Sequence, residues 1–224
     1  MSGLKSSSAP RRLLIVDDHA VVRLGLRHLL GRANDLVVCG EAASTRQAVD
    51  AIHRLDPDLV IADISLGDGS GLELVKEIRR FNARLPVLVL SMHDETLFAE
   101  RALRAGANGY VMKMEAPEEL LHAVRAVLSG QVYVSQKMVS RLLHRLHGPQ
   151  PEADDPVTRL SDRELQLFSM LGSGLSTREI ADRLCVSPKT VDSHRASMKR
   201  KLQVHTTVEL TCLAARWVEH HGID

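Results

Sequence analysis

LLIVDDHA, residues 13–20, runs four apolar residues straight into two adjacent carboxylates. A short continuous apolar run that ends in polar residues reads as a strand buried on both faces. Two bare carboxylates at its end would repel each other and raise a pKa, so a positive group is expected between them. Similar runs follow in DLVVCGEA, DLVIAD, PVLVLS and GYVMK, separated by helical patterns such as VVRLGLRHLL and RQAVDAIHRL. Five strands alternating with helices predict an α/β unit, a doubly wound parallel sheet wrapped on both faces. Ser44 three before Gln47 marks a capping box for the second helix, Pro57 follows its end, and Pro117 suits the first turn of the fifth.

The chain has 224 residues, longer than one typical domain, and two are expected. Its 44% hydrophobic and 25% charged residues let each half bury a core. GPQPEADDP, residues 148–156, carries three of the eight prolines beside Glu152, Asp154 and Asp155, a composition suited to an extended spacer. The expected division is a first domain over 11–132, a linker over 133–157 with a short amphipathic helix at Ser135 to Arg145, and a second domain over 158–224. From Leu160 onward nothing alternates like a strand, and four helices are expected.

Cys39, Cys185 and Cys212 lie too far apart in sequence for zinc or a disulfide framework and read as small buried or half-buried thiols. MSGLKSSSAPRR lacks the apolar core of a signal peptide, and no run of about eighteen apolar residues occurs. A cytoplasmic chain with no membrane association is expected. Aromatics at 3% argue against the stacking platforms of single-strand binders. The net charge of +1 hides a local excess: Arg183, Lys189, Arg195, Lys199, Arg200 and Lys201 stand against Asp192 alone between positions 183 and 201.

In a parallel sheet, ligands bind at the carboxyl ends of the strands. Those ends offer Asp17 and Asp18, Asp63, Ser91 and Lys113. A carboxylate cluster with few neutral partners suits Mg2+, a hard ion that takes oxygen ligands. Asp18 and Asp63 are expected to ligate it, Asp17 to act directly or through water, and the Ser65 backbone carbonyl to supply a further oxygen. The ion would offset the repulsion noted above. Lys113 would pair with Asp63 or with a phosphoryl group on it, and the Ser91 hydroxyl would donate to a phosphoryl oxygen. This is equipment for phosphoryl transfer to an aspartate. A lone Asp after a strand is more often a turn or cap residue, so the set carries the reading. His19 and His93 are expected on a solvated rim, since imidazole matches Mg2+ poorly, with His93 and Ser65 shaping access of a hydrolytic water.

Toward the C-terminus, Ser161 stands three before Glu164 in LSDRELQLFSML and Ser176 three before Glu179 in LSTREIADRL, which predicts two helices starting on capping boxes. CVSPKTV adds Ser187 as N-cap and Pro188 at the first position of a third helix. A short helix, a tight turn and a capped helix make a helix-turn-helix. In the helix from Pro188, Val191, Met198 and Leu202 form an apolar stripe, leaving Lys189, Asp192, Ser193 and Ala196 outward. Those outward side chains can let the helix enter a major groove, with Lys189, Arg195, Lys199, Arg200 and Lys201 flanking it for phosphates. The alternative is a solvated basic face.

Through LLIVDD, the Asp of DLVIADISL, the Ser of VLVLS and the Lys of GYVMK, the first domain resembles a CheY-like response-regulator receiver domain. Through LSDREL, GLSTREIADRL, SPKTVDSHRASMKRKL and TTVEL, the region from Leu160 to Trp217 resembles the LuxR-type helix-turn-helix of NarL/FixJ response regulators. The resemblance implies a transcription regulator rather than an enzyme, with Asp63 as phosphoacceptor and Mg2+ as cofactor. It implies a sensor histidine kinase, double-stranded promoter DNA and RNA polymerase as partners, and a homodimer on phosphorylation or DNA. Tyr110 matches the family's switch aromatic, moving with Ser91; the alternative is a Tyr at an edge strand with its hydroxyl in water.

By the same resemblance, Lys189, Thr190 and Lys201 hold the DNA backbone, while Asp192, Ser193 and Ala196 occupy base-reading positions. Asp192 is acidic where several relatives have Lys, so base preference does not carry over. It either accepts from a cytosine amino group or repels wrong registers. Gly67 stands where the family commonly has Pro, which frees that loop. Thr206, three before Glu209, opens a final helix whose Val208, Leu210 and Leu213 either dimerise or pack in their own domain. A haloacid-dehalogenase-like phosphatase is the enzyme rival, but it requires a second Asp where this chain has Ser65. A regulator that never takes phosphate is the other rival, and the complete acidic set speaks against it.

Overall fold

The structure, a computed structural model, describes residues 9–66, 69–92, 95–147, 156–184 and 186–221. The expectations for Gly67, His93, Cys185 and the spacer over 148–155 lie outside those residues. In chain order the first part runs β1 (Arg11–Val16), α1 (Ala20–Leu30), β2 (Leu36–Ala42), α2 (Thr45–Leu55), β3 (Leu59–Asp63), β4 (Ser65–Leu66), β5 (Gly69–Ser70), α3 (Gly71–Phe81), β6 (Val87–Ser91), α4 (Glu95–Ala105), β7 (Gly109–Met112) and α5 (Pro117–Leu128). The second part runs α6 (Gln136–His147), a 3-10 turn at Pro156–Arg159, α7 (Asp162–Gly172), α8 (Thr177–Arg183), α9 (Pro188–Leu202) and α10 (Thr207–His221).

β1, β2, β3, β6 and β7 are parallel and ordered β2-β1-β3-β6-β7. The apolar runs behave as a doubly covered sheet demands: every residue of β3 and β6 is buried, and so are the last four of β1. Strand alternation sends Leu13, Ile15, Leu59, Ile61, Leu88 and Leu90 to one face, where they join Leu26 and Leu30 of α1 and Leu120, Val124 and Val127 of α5 in a single cluster. Truncating one of these side chains to Ala would cost about 2–5 kcal/mol. Strand order reverses direction between β1 and β3, and that reversal opens the crevice into which Asp17, Asp18 and Asp63 project their ends of chain.

Two features escape the strand pattern. β4 and β5 pair antiparallel, Ser65 opposite Ser70, in a hairpin too short to show any periodicity. It returns the chain so closely that the Gly71 N–H donates to the Ile64 carbonyl at 2.8 Å, and a Cβ on Gly71 would sit 1.9 Å from the Asp63 carbonyl oxygen. Only glycine fits there. Past α5, Tyr133 lies along the outer edge of β7: its N–H donates to the Asn108 carbonyl at 3.0 Å and its carbonyl accepts from the Tyr110 N–H at 2.9 Å. The last strand edge is thereby partly covered.

The described residues of 1–92 and 99–134 form one compact unit, and those of 93–98 and 135–224 form the other. The chain expected as a linker, 133–157, is therefore split, and α6 groups with the second unit. Ser135 caps α6, accepting from the Met138 N–H at 3.1 Å, and its own N–H donates to the buried Glu95 carboxylate at 2.7 Å. The second unit contains the four helices expected after Leu160. Both capping boxes form, at Ser161/Glu164 and Ser176/Glu179, and Thr206 with Glu209 closes the same reciprocal pair before α10. Leu165, Phe168, Ile180, Val191, Met198, Leu202, Leu210 and Ala214 are buried. Gly172 lets α7 and α10 approach, since a Cβ there would meet the Ala214 carbonyl at 2.5 Å. Among the described residues no helix is long and apolar enough to cross a membrane.

Candidate functional site

Four of the five parallel strands, β1, β3, β6 and β7, each contribute a group at their carboxyl ends. Asp17 follows β1 and is 1% exposed, Asp63 ends β3 and is 3% exposed, and Ser91, fully buried, ends β6. Lys113 follows β7, and its N–H donates to the Ser91 carbonyl at 2.7 Å, which fixes its side chain over the carboxylates. The ammonium bridges Asp17 Oδ2 at 2.6 Å and Asp63 Oδ2 at 2.8 Å. Lys113 thus joins Asp17 to Asp63, a different pair from the adjacent Asp17 and Asp18 for which LLIVDDHA called for an ion. Asp17 Oδ1 accepts from the His19 N–H at 2.8 Å, and Arg23 pins the Asp17 carbonyl at 2.6 Å. Both Asp17 oxygens therefore already hold protein donors, whereas Asp18 is partly open.

Burial pushes the Asp63 carboxyl up to about 6, against the pull of Lys113 and the Ser65 N–H and with some help from Asp17. Burial also disfavours the Lys113 ammonium, but Asp63 and Asp17 together outweigh it and its pKa is raised. Both members of the pair move upward because one cation faces two buried carboxylates: it is over-supplied with partners while they share it.

The donor set fits a hard divalent cation. Asp17, Asp18, His19 and Asp63 each offer one ligand atom, all within 4.8 Å of one another. Oxygen dominates the set, as Mg2+ requires. Asp18 Oδ1 is buried with no hydrogen-bond partner among the described residues; it lies 2.7 Å from His19 Nδ1 but out of line for a hydrogen bond. His19 is exposed, in keeping with its expected rim position. Tyr110 is buried, with only 1% of its surface exposed, so the alternative of a hydroxyl in water is not what this strand edge provides.

The second candidate surface is α9. Ser187 caps it, accepting from the Thr190 N–H at 3.1 Å, and Pro188 begins it. Val191, Met198 and Leu202 are buried, while Lys189, Asp192, Ser193, Ala196 and Arg200 are exposed and Thr190 and Lys199 are half-buried. Two cations expected on the outside are committed inward. Arg195 has a side chain 16% exposed and bonds the Thr177 hydroxyl at the start of α8. Lys201 donates to Glu164 Oε2 at 2.6 Å.

Glu164 was read only as a cap. It is also a buried hub that accepts from the Ser161 N–H at 2.7 Å, the Ser197 hydroxyl at 2.7 Å and Lys201, and these partners hold its carboxyl down at about 2 despite the opposing effect of burial. The inward turn of Arg195 was legible, since it stands four residues after Val191 on the buried stripe. Nothing local pointed to the reach of Glu164 across to α9.

Residues 13–125 match the family model for the response regulator receiver domain, and residues 158–214 match that for bacterial regulatory proteins of the luxR family. Response regulator UvrY of Escherichia coli (strain K12) is 38% identical over 212 residues, covering 94% of this chain and 94% of that protein. The structure of RcsB from Salmonella enterica serovar Typhimurium bound to promoter rprA in the presence of phosphomimetic BeF3- aligns with a TM-score of 0.59 and 28% identity, over 92% of this chain and 99% of that one. A structure of two RcsB dimers bound to two parallel DNAs aligns with a TM-score of 0.57 and 29% identity, over 91% and 97%. With a pocket at the strand ends of its first unit and a capped helix-turn-helix later in its sequence, the chain belongs to the NarL/FixJ family of two-component response regulators, a receiver domain followed by a LuxR-type DNA-binding domain.

Proposed function

We propose that a sensor histidine kinase phosphorylates Asp63 and that the added charge switches sequence-specific binding of α9 to promoter duplexes. One observation carries the reading: Lys113 spans Asp17 and Asp63 at hydrogen-bond distance in a buried pocket whose third wall is Ser91. An oxygen of Asp63 attacks the phosphorus of a phosphohistidine; the P–N bond breaks as the O–P bond forms, and the imidazole keeps the electron pair. Asp18, Asp63 and the Ser65 carbonyl would hold Mg2+, with Asp17 acting directly or through water, and the ion when bound supplies charge neutralisation for the phosphoryl oxygens. Lys113 leaves the Asp63 carboxylate for a phosphoryl oxygen, and the Ser91 hydroxyl turns to donate to another. Tyr110 follows Ser91, and the receiver shifts between two arrangements.

In the DNA-binding half, the exposed Lys189 with Thr190 and Lys199 contacts phosphates, and Asp192, Ser193 and Ala196 face the bases. Lys201 adds to phosphate binding through the protons that Glu164 leaves free, and Arg195 acts as an internal brace. Homodimers on DNA, RNA polymerase as the recipient of the signal and a cytoplasmic site of action complete the reading; the RcsB dimers on DNA support the first of these. The test is promoter affinity of the full chain with and without beryllofluoride and Mg2+. The affinity should rise several-fold for the native chain and stay unchanged for Asp63→Asn. An equal rise in both would overturn the assignment of Asp63.

A further inference from the structure

Asp192 is the only acidic side chain in α9, a helix that otherwise presents cations and short polar groups. An acid on a surface meant for a polyanion weakens binding wherever it approaches phosphate, so its presence calls for a compensating contact. Its side chain is 65% exposed, with one cation near it. Arg195, three residues on, brings Nη1 to 3.9 Å from Asp192 Oδ1 while bonding the Thr177 hydroxyl of α8, and Arg195 Nε is buried with no partner among the described residues. The guanidinium is thus tied to α8 through Thr177 and lies beside the Asp192 carboxylate, beyond hydrogen-bond distance of Oδ1.

A carboxylate can only accept hydrogen bonds. In the major groove, guanine presents two acceptors, thymine an acceptor and a methyl group, and adenine a donor beside an acceptor that repels the second oxygen; cytosine alone presents an amino donor with no acceptor beside it. We infer that Asp192, with the Arg195 guanidinium beside it, selects a cytosine in each half-site of the operator. The inference rests on the reading that α9 enters the major groove, and it adds what that reading leaves open, the base chosen by the acidic position.

Selection of bound sequences from a randomised duplex library by the full-length chain tests it. The native chain should enrich a half-site with cytosine at one position by roughly tenfold over other bases. Asp192→Asn should move that position, and no other, toward adenine, because an amide can donate to N7 while accepting from the amino group. Asp192→Ala should leave it degenerate while raising affinity for a non-specific duplex. Arg195→Gln, a change to the positioning residue, should weaken cytosine preference there without a shift to adenine. Identical base preferences in the native chain and both Asp192 variants would overturn the inference and leave major-groove entry standing. Failure of the native chain to enrich any sequence would overturn both.

Discussion

Lys113 faces two buried carboxylates, and that imbalance sets how the pocket responds to pH. The folded Asp63 carboxyl titrates near 6 against 3.8 for an unperturbed one, so its contribution to stability is full below 3.8 and is lost as pH rises through about 6. Removing the charge should restore it: at pH 8 without divalent cations, Asp63→Asn should be more stable than the native chain by on the order of 1–3 kcal/mol, read from the first transition in calorimetry. Added Mg2+ should raise the native transition and leave the variant nearly unmoved. Glu164 has the opposite sign. Its folded carboxyl lies at about 2 against 4.5, so its contribution is present above 4.5 and fades as pH falls toward 2. Glu164→Gln should reduce amide protection in α7 and α9 at pH 7 and converge on the native chain in strong acid, by hydrogen exchange.

At the scale of elements, the turn after β3 depends on one missing Cβ. Gly71→Ala must push the start of α3 off the Asp63 carbonyl, at a cost of about 1–3 kcal/mol, and should lower labelling of Asp63 by acetyl phosphate along with the melting temperature. α6 depends on a cap from outside its own sequence neighbourhood: Glu95→Ala should speed exchange of the Ser135 and Met138 amides while leaving β7 protected. What the sequence disclosed and what it did not divide along the same line. The strand ends, the capping boxes of α7 and α8 and the stripe of α9 were legible because each is a local pattern with a fixed period or offset, whereas at Ser44 only half of the expected box forms, Gln47 Oε1 accepting from the Ala43 N–H instead. Gly71 against Asp63, Tyr133 against β7, and Glu164 with Lys201 were not, because each joins residues whose meeting is decided by how elements return on one another. SLGDGSG shows only a turn-rich string; that its last glycine must touch the backbone of Asp63 follows from the hairpin between them.

For the whole molecule, DNA affinity should fall linearly on a log scale with salt, as counterions are released from the duplex. Lys189 is exposed, so Lys189→Ala should reduce that slope by about one unit without altering thermal stability. Lys201→Ala should reduce affinity and also destabilise the second unit, because the Glu164 carboxylate loses a partner held at 2.6 Å. The pair separates the phosphate contact proposed for Lys189 from the structural role of Lys201 as partner of Glu164. The central claim is that the acidic pocket exists so that one carboxylate can carry a covalent phosphoryl group. Intact-mass measurement of the full chain after acetyl phosphate and Mg2+ should find one added phosphoryl group, absent from Asp63→Asn; an unlabelled native chain, or equal labelling of the variant, would contradict the account.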